Sequence, residues 1–294
     1  MDFSAPFLTN YWPHLLAAFI GYFTIKFLAR SLFGIEITRR FSHEYDPARQ
    51  LDLERDEDEN QGVSGGPQSF EDMTEHIPYR LKKYTEKETF RRAVEFYRMM
   101  DERRTVRHFS DDAVPLGVVQ TLIKTAGTSP SGAHTQPWTY VVVQDFNLKC
   151  QIRKIVEEEE EINYRKRMSA TWVKDLEKLR TTWERNVLDV APYLIMVFKQ
   201  AYGVGPNGER INHYYSEISI SISVGILLAA IQNAGLVTVT STPLNAGPAL
   251  RTLLARPVNE KLLLLLPIGY PAHNATVPDL QRRDIKDNHG SDVM

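Results

Sequence analysis

Arg103, Arg104 and Arg107 crowd into one short segment, so at least two of their guanidinium groups can reach a common anion. Arginine forks give paired, charge-assisted hydrogen bonds that suit a phosphate better than lysine does. Farther along comes Ser129-Pro130-Ser131-Gly132-Ala133-His134-Thr135-Gln136-Pro137-Trp138, a turn whose small side chains admit a flat ligand. Together with the strand that follows, clamp and turn point to a phosphorylated planar cofactor. The alternative is a solvated basic cluster and a plain turn. Glu160 and Tyr164 stand four apart, on one side of a helix, and a carboxylate and a phenol projecting together can hold an ammonium and a carboxylate. The surrounding run, Glu157 to Glu161, equally fits a solvated helix face. Thr240, Ser241 and Thr242 carry hydroxyls at a strand end, where they reach a ligand or satisfy loop backbone. His134 reads as a loop residue hydrogen-bonded to its neighbours rather than as a general acid.

The elements that must position these groups alternate between helix and strand. Glu88 to Asp101 and Val118 to Ala126 have helical spacing, whereas Trp138–Val143, 194–198, 237–240 and 262–268 read as strands. Residues 216–234 are ambiguous, because Ile218, Ile220 and Ile222 alternate as in a strand. Their length, the small residues Ser223, Gly225, Ala229 and Ala230, and the stop at Asn233-Ala234-Gly235 predict a buried helix. The expected class is α+β, a sheet flanked by helices.

A chain of 294 residues that is 43% hydrophobic has room for one large catalytic domain with extensions. A formal net charge of −2 argues against nucleic acid as a partner. Cys150 is the single cysteine, so an internal disulfide is excluded and a reducing compartment suits the domain. No spacing of His, Cys and Asp matches a zinc or calcium site, and no metal is expected.

After an N-terminal tail (1–10), residues 11–33 are largely apolar and long enough to cross a bilayer as one anchor helix. An interfacial helix or a signal peptide is the alternative, although a signal peptide carries its basic residues before the apolar run. Lys26, Arg30, Arg39 and Arg40 follow the run, which predicts a single-pass protein with a cytoplasmic catalytic domain. Residues 34–75 are rich in acidic residues and glycine and read as a flexible linker, leaving 76–294 as the catalytic domain.

Arg103-Arg104-Thr105-Val106-Arg107 followed by Pro-Ser-Gly-Ala-His-Thr-Gln-Pro-Trp resembles the FMN-binding nitroreductase superfamily. Residues 155–168, the run from Asn233 to Asn245 and Pro267-Ile268-Gly269-Tyr270-Pro271 are similar to its iodotyrosine deiodinase branch, across roughly His76 to Arg283. This resemblance implies a nitroreductase-like fold, an intertwined homodimer with its sites at the subunit interface, and reductive dehalogenation of 3-iodotyrosine, 3,5-diiodotyrosine and bromo- or chlorotyrosine. It also implies NADPH as the ultimate electron donor, through a separate reductase. A general flavin-dependent nitro or quinone reductase is the alternative. By the same resemblance Arg103, Arg104, Arg107 and Arg282 hold the FMN phosphate and ribityl chain, and Thr105 and Val106 contribute backbone. Pro130, Ser131 and Gly132 lie along the flavin with Thr240, Ser241 and Thr242. Thr242 hydrogen-bonds flavin N5, which favours one-electron steps. The Ala133 N–H meets the substrate phenolate, while Glu160 and Tyr164, on a lid helix, take the amino-acid zwitterion. A lysine completes the clamp in vertebrate-type members. Here Arg185 stands in its place, keeping the charge with a different geometry.

Overall fold

The computed structural model describes residues 74–283. The expected tail, the anchor over 11–33 and nearly all of the linker over 34–75 lie outside them. Helix α1 (Glu86–Asp101) starts at Thr85, whose hydroxyl accepts the Glu88 N–H at 3.3 Å and so satisfies one orphan donor of the first turn. Helix α2 (Leu116–Ala126) and strand β1 (Trp138–Val143) follow. Helix α3 (Phe146–Ile162), capped by the Asp145 carboxylate, then runs into one π-helical turn (Asn163–Arg167). Next come α4 (Ala170–Lys178), α5 (Val187–Val190), β2 (Tyr193–Gln200), and a small hairpin of β3 (Gly203–Val204) and β4 (Arg210–Ile211). The described chain closes with α6 (Ser216–Asn233), β5 (Val237–Thr238), α7 (Gly247–Leu253) and β6 (Glu260–Gly269).

Four strands form an antiparallel sheet in the order β1-β2-β6-β5. Strand β2 reads as a continuous apolar run because both of its faces are covered. Side chains alternate across a strand, so Tyr193, Ile195 and Val197 pack with α2 and α6 through Leu122, Leu227 and Ile231. Leu194, Met196 and Phe198 face the other way, toward Ile152 and Val156 of α3 and Leu250 of α7. Each such side chain contributes about 1.5–3 kcal/mol on burial, so these two layers make the sheet the rigid floor on which the site stands.

The α+β expectation holds, with three differences of detail. The strand expected over 237–240 ends at Thr238, and its pairing with β6 resumes in the same register at Ser241, which exchanges backbone hydrogen bonds with Leu265 (3.0 and 2.8 Å). Helix α6 is buried along one side only, since Ile218 and Ile222 remain 55% and 44% exposed. Helix α1 buries no residue at all, although Phe90, Phe96 and Tyr97 are among its side chains. Among the described residues α6 is the one helix long and apolar enough to cross a membrane, but its buried side belongs to the sheet's core.

Candidate functional site

The arginine strip is an extended segment laid along the sheet edge. Past α1, Thr105 bridges Thr238 of β5 in parallel, and the Val106 N–H donates to the Thr238 carbonyl at 3.2 Å. Val106 is buried, so the alternation of extended backbone turns Thr105 and Arg107 the other way. Arg103, Arg104, Thr105 and Arg107 line a cleft of about 210 Å³, closed by Leu179, Pro278, Leu280, Gln281 and Arg282. None of these lining side chains is a carboxylate. Guanidinium, hydroxyl and amide donors alone make a set that complements a phosphate, and the FMN phosphate fits it.

Two of the arginines also build the cleft's wall. Arg104 donates to the Pro278 carbonyl, and Arg282 donates to the Asp101 carboxylate at 2.8 Å and to the Arg103 carbonyl at 2.8 Å. Burial, reinforced by the positive Arg185 nearby, pushes the pKa of Arg107 down from its ordinary value. A bound anion would reverse that penalty.

Thr240 and Thr242 flank Ser241, whose backbone is paired to β6, and both threonines are exposed. The arginine segment is tied through Thr105 to Thr238 of β5, two residues before Thr240. The Pro-Ser-Gly turn stands on different supports. The Gly132 N–H donates to Ser219 Oγ at 3.3 Å, the Ser131 hydroxyl accepts the Gln136 N–H at 3.0 Å, and Gln136 Nε2 pairs with His134 Nε2 at 3.0 Å. His134 is therefore held within its loop. Ala133, His134 and Gln136 are all left-handed (φ 48°, 58° and 47°), and each such residue costs about 1–3 kcal/mol. Gly132 is needed because a Cβ there would lie 2.5 Å from the Tyr214 carbonyl oxygen, so the close approach is to protein backbone. No hydrogen bond or ion pair among the described residues joins Pro130, Ser131, Gly132 or Ala133 to the arginine strip or to Glu160, Tyr164 and Arg185.

Glu160, Tyr164 and Arg185 do come together. Helix α3 presents Arg153, Glu157 and Glu160 along one stripe that the π turn continues to Tyr164, and Arg185 approaches on the loop between α4 and α5. Arg185 Nη2 donates to Glu160 Oε2 at 3.1 Å, in a pair whose side chains are only 16% and 15% exposed. The Tyr164 ring meets Trp183 edge to face at 5.9 Å, and its hydroxyl is buried without a hydrogen-bond partner. Burial raises the pKa of that phenol, with Arg185 pulling the other way, so it stays a protonated donor. A carboxylate acceptor, a guanidinium and a hydroxyl without a hydrogen-bond partner are group types that complement the ammonium and carboxylate of a zwitterion.

Three contributors, Asn163, Arg153 and Glu157, were given no role by sequence reasoning. The Asn163 amide donates to Glu160 Oε1 (3.1 Å), while its oxygen accepts from Arg167 Nη1 (2.8 Å) and Asn245 Nδ2 (2.9 Å). It thereby links the end of α3 to the loop just beyond Thr242. Arg153 and Glu157 anchor the Arg185 loop. Their spacing from Glu160 was visible in the sequence, but their partners, more than 25 residues away, were not.

The family model described as the nitroreductase family matches residues 100–270. Iodotyrosine deiodinase of Danio rerio is 60% identical over 217 residues, which span 74% of this chain and 74% of that protein. Iodotyrosine deiodinase 1 of Homo sapiens is 59% identical over 218 residues, 74% of this chain and 75% of that protein. Among solved structures, an oxidised iodotyrosine deiodinase bound to FMN and 3-iodo-L-tyrosine superposes with a TM-score of 0.57 at 31% identity, covering 65% of this chain and 96% of that one. A BluB-like flavoprotein from Clostridium difficile, at 18% identity and a TM-score of 0.53, shares the fold.

Proposed function

Because the chain belongs to the iodotyrosine deiodinases of the nitroreductase family, we propose that it dehalogenates 3-iodotyrosine and 3,5-diiodotyrosine with FMN as cofactor. The observation that carries this reading is the half-buried trio of Glu160, Arg185 and Tyr164, since a nitro or quinone substrate has no zwitterion to use it. Glu160 accepts from the substrate ammonium, and Arg185 and the Tyr164 hydroxyl donate to its carboxylate. The Ala133 N–H donates to the phenolate oxygen, stabilising negative charge beside the carbon–halogen bond. The Thr242 hydroxyl donates to the flavin edge, and Thr240 and Ser241 shape the strip beside it. Arg103, Arg104, Arg107 and Arg282 hold the phosphate end, with Thr105, Val106, Pro130, Ser131 and Gly132 supplying backbone and small side chains along the cofactor.

FMN when bound supplies the two electrons of the reaction. The halotyrosine takes up those electrons and one proton, the carbon–halogen bond breaks, and tyrosine and halide leave. Bromo- and chlorotyrosine place their halogen beside the same phenol and belong to the same substrate class. We propose NADPH as the ultimate donor, working through a separate reductase.

Loop residues 130–133, which no hydrogen bond or ion pair among the described residues joins to the arginine strip, and the exposed apolar side chains of α1 and α6 support a homodimer in which a second copy completes the site. The apolar run over 11–33, with basic residues after it, supports a single membrane anchor and a cytoplasmic domain. To test the central reading, the FMN-loaded full-length chain in detergent is titrated with 3-iodotyrosine, reduced with dithionite and assayed for tyrosine. Tyrosine released over several turnovers is the expected result. Flavin that ignores 3-iodotyrosine but reduces nitroaromatics would move the chain to general nitro reduction.

A further inference from the structure

We propose that Arg153 and Glu157 are positioning residues for the zwitterion clamp, fixing the Arg185 backbone so that its guanidinium enters the site; the inference rests on the halotyrosine reading. Arg185 sits on an irregular segment that leaves α4 through a left-handed Arg180 (φ 52°); its Nη1 donates to the Thr182 and Glu184 carbonyls, so the guanidinium is tied to its own segment and points wherever that segment's backbone is held. The external hold comes from α3. Glu157 Oε1 accepts the Arg185 N–H at 2.6 Å and, at the same oxygen, Arg153 Nε at 2.8 Å. The remaining arms of Arg153 reach the Asp189 carboxylate and the Asn186 side-chain oxygen, just beyond Arg185. One planar guanidinium thus grips three acceptors and spans α3, the loop and the start of α5. A lysine ammonium lacks that rigid fork.

The stripe on α3 therefore has two halves. Arg153 and Glu157 hold the loop's backbone, and Glu160, one turn on, meets the loop's side chain. Charge-assisted bonds to a carboxylate are roughly twice as strong as neutral ones, and this network is partly shielded from water, its three charged side chains being 19–29% exposed. Displacing a substrate-binding group by about 1 Å costs up to about 10²-fold in kcat/KM, so an anchored guanidinium has functional value that an equally stable but mobile loop lacks. The core face of α3 is separate: Ile152 and Val156 are buried against the sheet, so altering the stripe spares the helix's packing.

The test uses the FMN-loaded full-length chain with Arg153→Met, Glu157→Ala and Glu157→Gln. Two substrates are compared, 3-iodotyrosine and 2-iodophenol, which keeps the carbon–iodine bond beside a phenol but has no zwitterion. In Arg153→Met and Glu157→Ala, KM for 3-iodotyrosine should rise about tenfold with kcat nearly unchanged, while 2-iodophenol turnover stays within about twofold. Glu157→Gln, which keeps an acceptor for the Arg185 N–H, should recover most of the loss. Independently of turnover, hydrogen exchange of the peptide containing Arg185 should speed up at least about tenfold in Glu157→Ala. Equal losses on both substrates, or unchanged KM with unchanged exchange, would overturn the proposal. Should the parent protein fail to turn over 3-iodotyrosine, the halotyrosine reading falls, and the exchange measurement still decides whether α3 holds the loop.

Discussion

Replacing Tyr164 with phenylalanine should move stability and binding in opposite directions. The Tyr164 hydroxyl is buried and finds no partner among the described residues, while its ring keeps an edge-to-face contact with Trp183 that phenylalanine retains. A buried donor without an acceptor costs about 1–3 kcal/mol, so deleting the oxygen should stabilise the ligand-free protein by about 1 kcal/mol. For a domain of this size that raises the melting temperature by about 2–4 °C. In the substrate complex the same hydroxyl would donate to a carboxylate, a bond contributing about 1.5–3 kcal/mol. Its loss should weaken 3-iodotyrosine about 10- to 150-fold. Differential scanning fluorimetry without substrate and flavin-absorbance titration with 3-iodotyrosine measure the two effects on the same preparation. A variant that melts lower than the parent would show that the hydroxyl already has a protein partner. Unchanged affinity would remove Tyr164 from the clamp.

Gly132→Ala should destabilise by about 1–3 kcal/mol, because the new Cβ would sit 2.5 Å from the Tyr214 carbonyl oxygen and 2.9 Å from its Cβ, and backbone cannot swing aside. Thermal melting checks it, and an unchanged midpoint would mean that the loop relaxes at no cost. His213 is held below its ordinary pKa of 6.5 by burial, with both ring nitrogens unpartnered among the described residues. The unfolded chain then binds a proton that the folded one resists, so stability should fall as pH drops below 6.5. Urea titrations at pH 7.5 and 5.5 should show this loss shrinking in a His213→Gln variant, and an equal loss in both proteins would contradict it. Ile218→Asp places a charge on the exposed side of α6 and should shift the protein toward monomer in analytical ultracentrifugation. A dimer of unchanged stability would place the contact elsewhere.

The amino-acid sequence by itself determined the chemistry on offer and the elements that carry it. The crowding of Arg103, Arg104 and Arg107, the small-residue turn before β1, and the four-residue step from Glu160 to Tyr164 are local patterns, set by side-chain type and by helix and strand periods. The continuous apolar run of β2 was legible for the same reason. Tertiary structure decided which of these groups meet. The bridge from Thr105 to Thr238 ties the arginine strip to the strand that leads into Thr240 and Thr242, and the packing of α3 against the loop carrying Arg185 joins Glu160 to a residue 25 positions away. The roles of Arg153, Glu157 and Asn163 were hidden because a hydrogen bond depends on where its acceptor lies in space, and their partners are supplied by distant segments of chain. Gly132 shows the same division. Its turn was plain in the sequence, but the atom that forbids a side chain there belongs to Tyr214, a residue far along the chain just before α6.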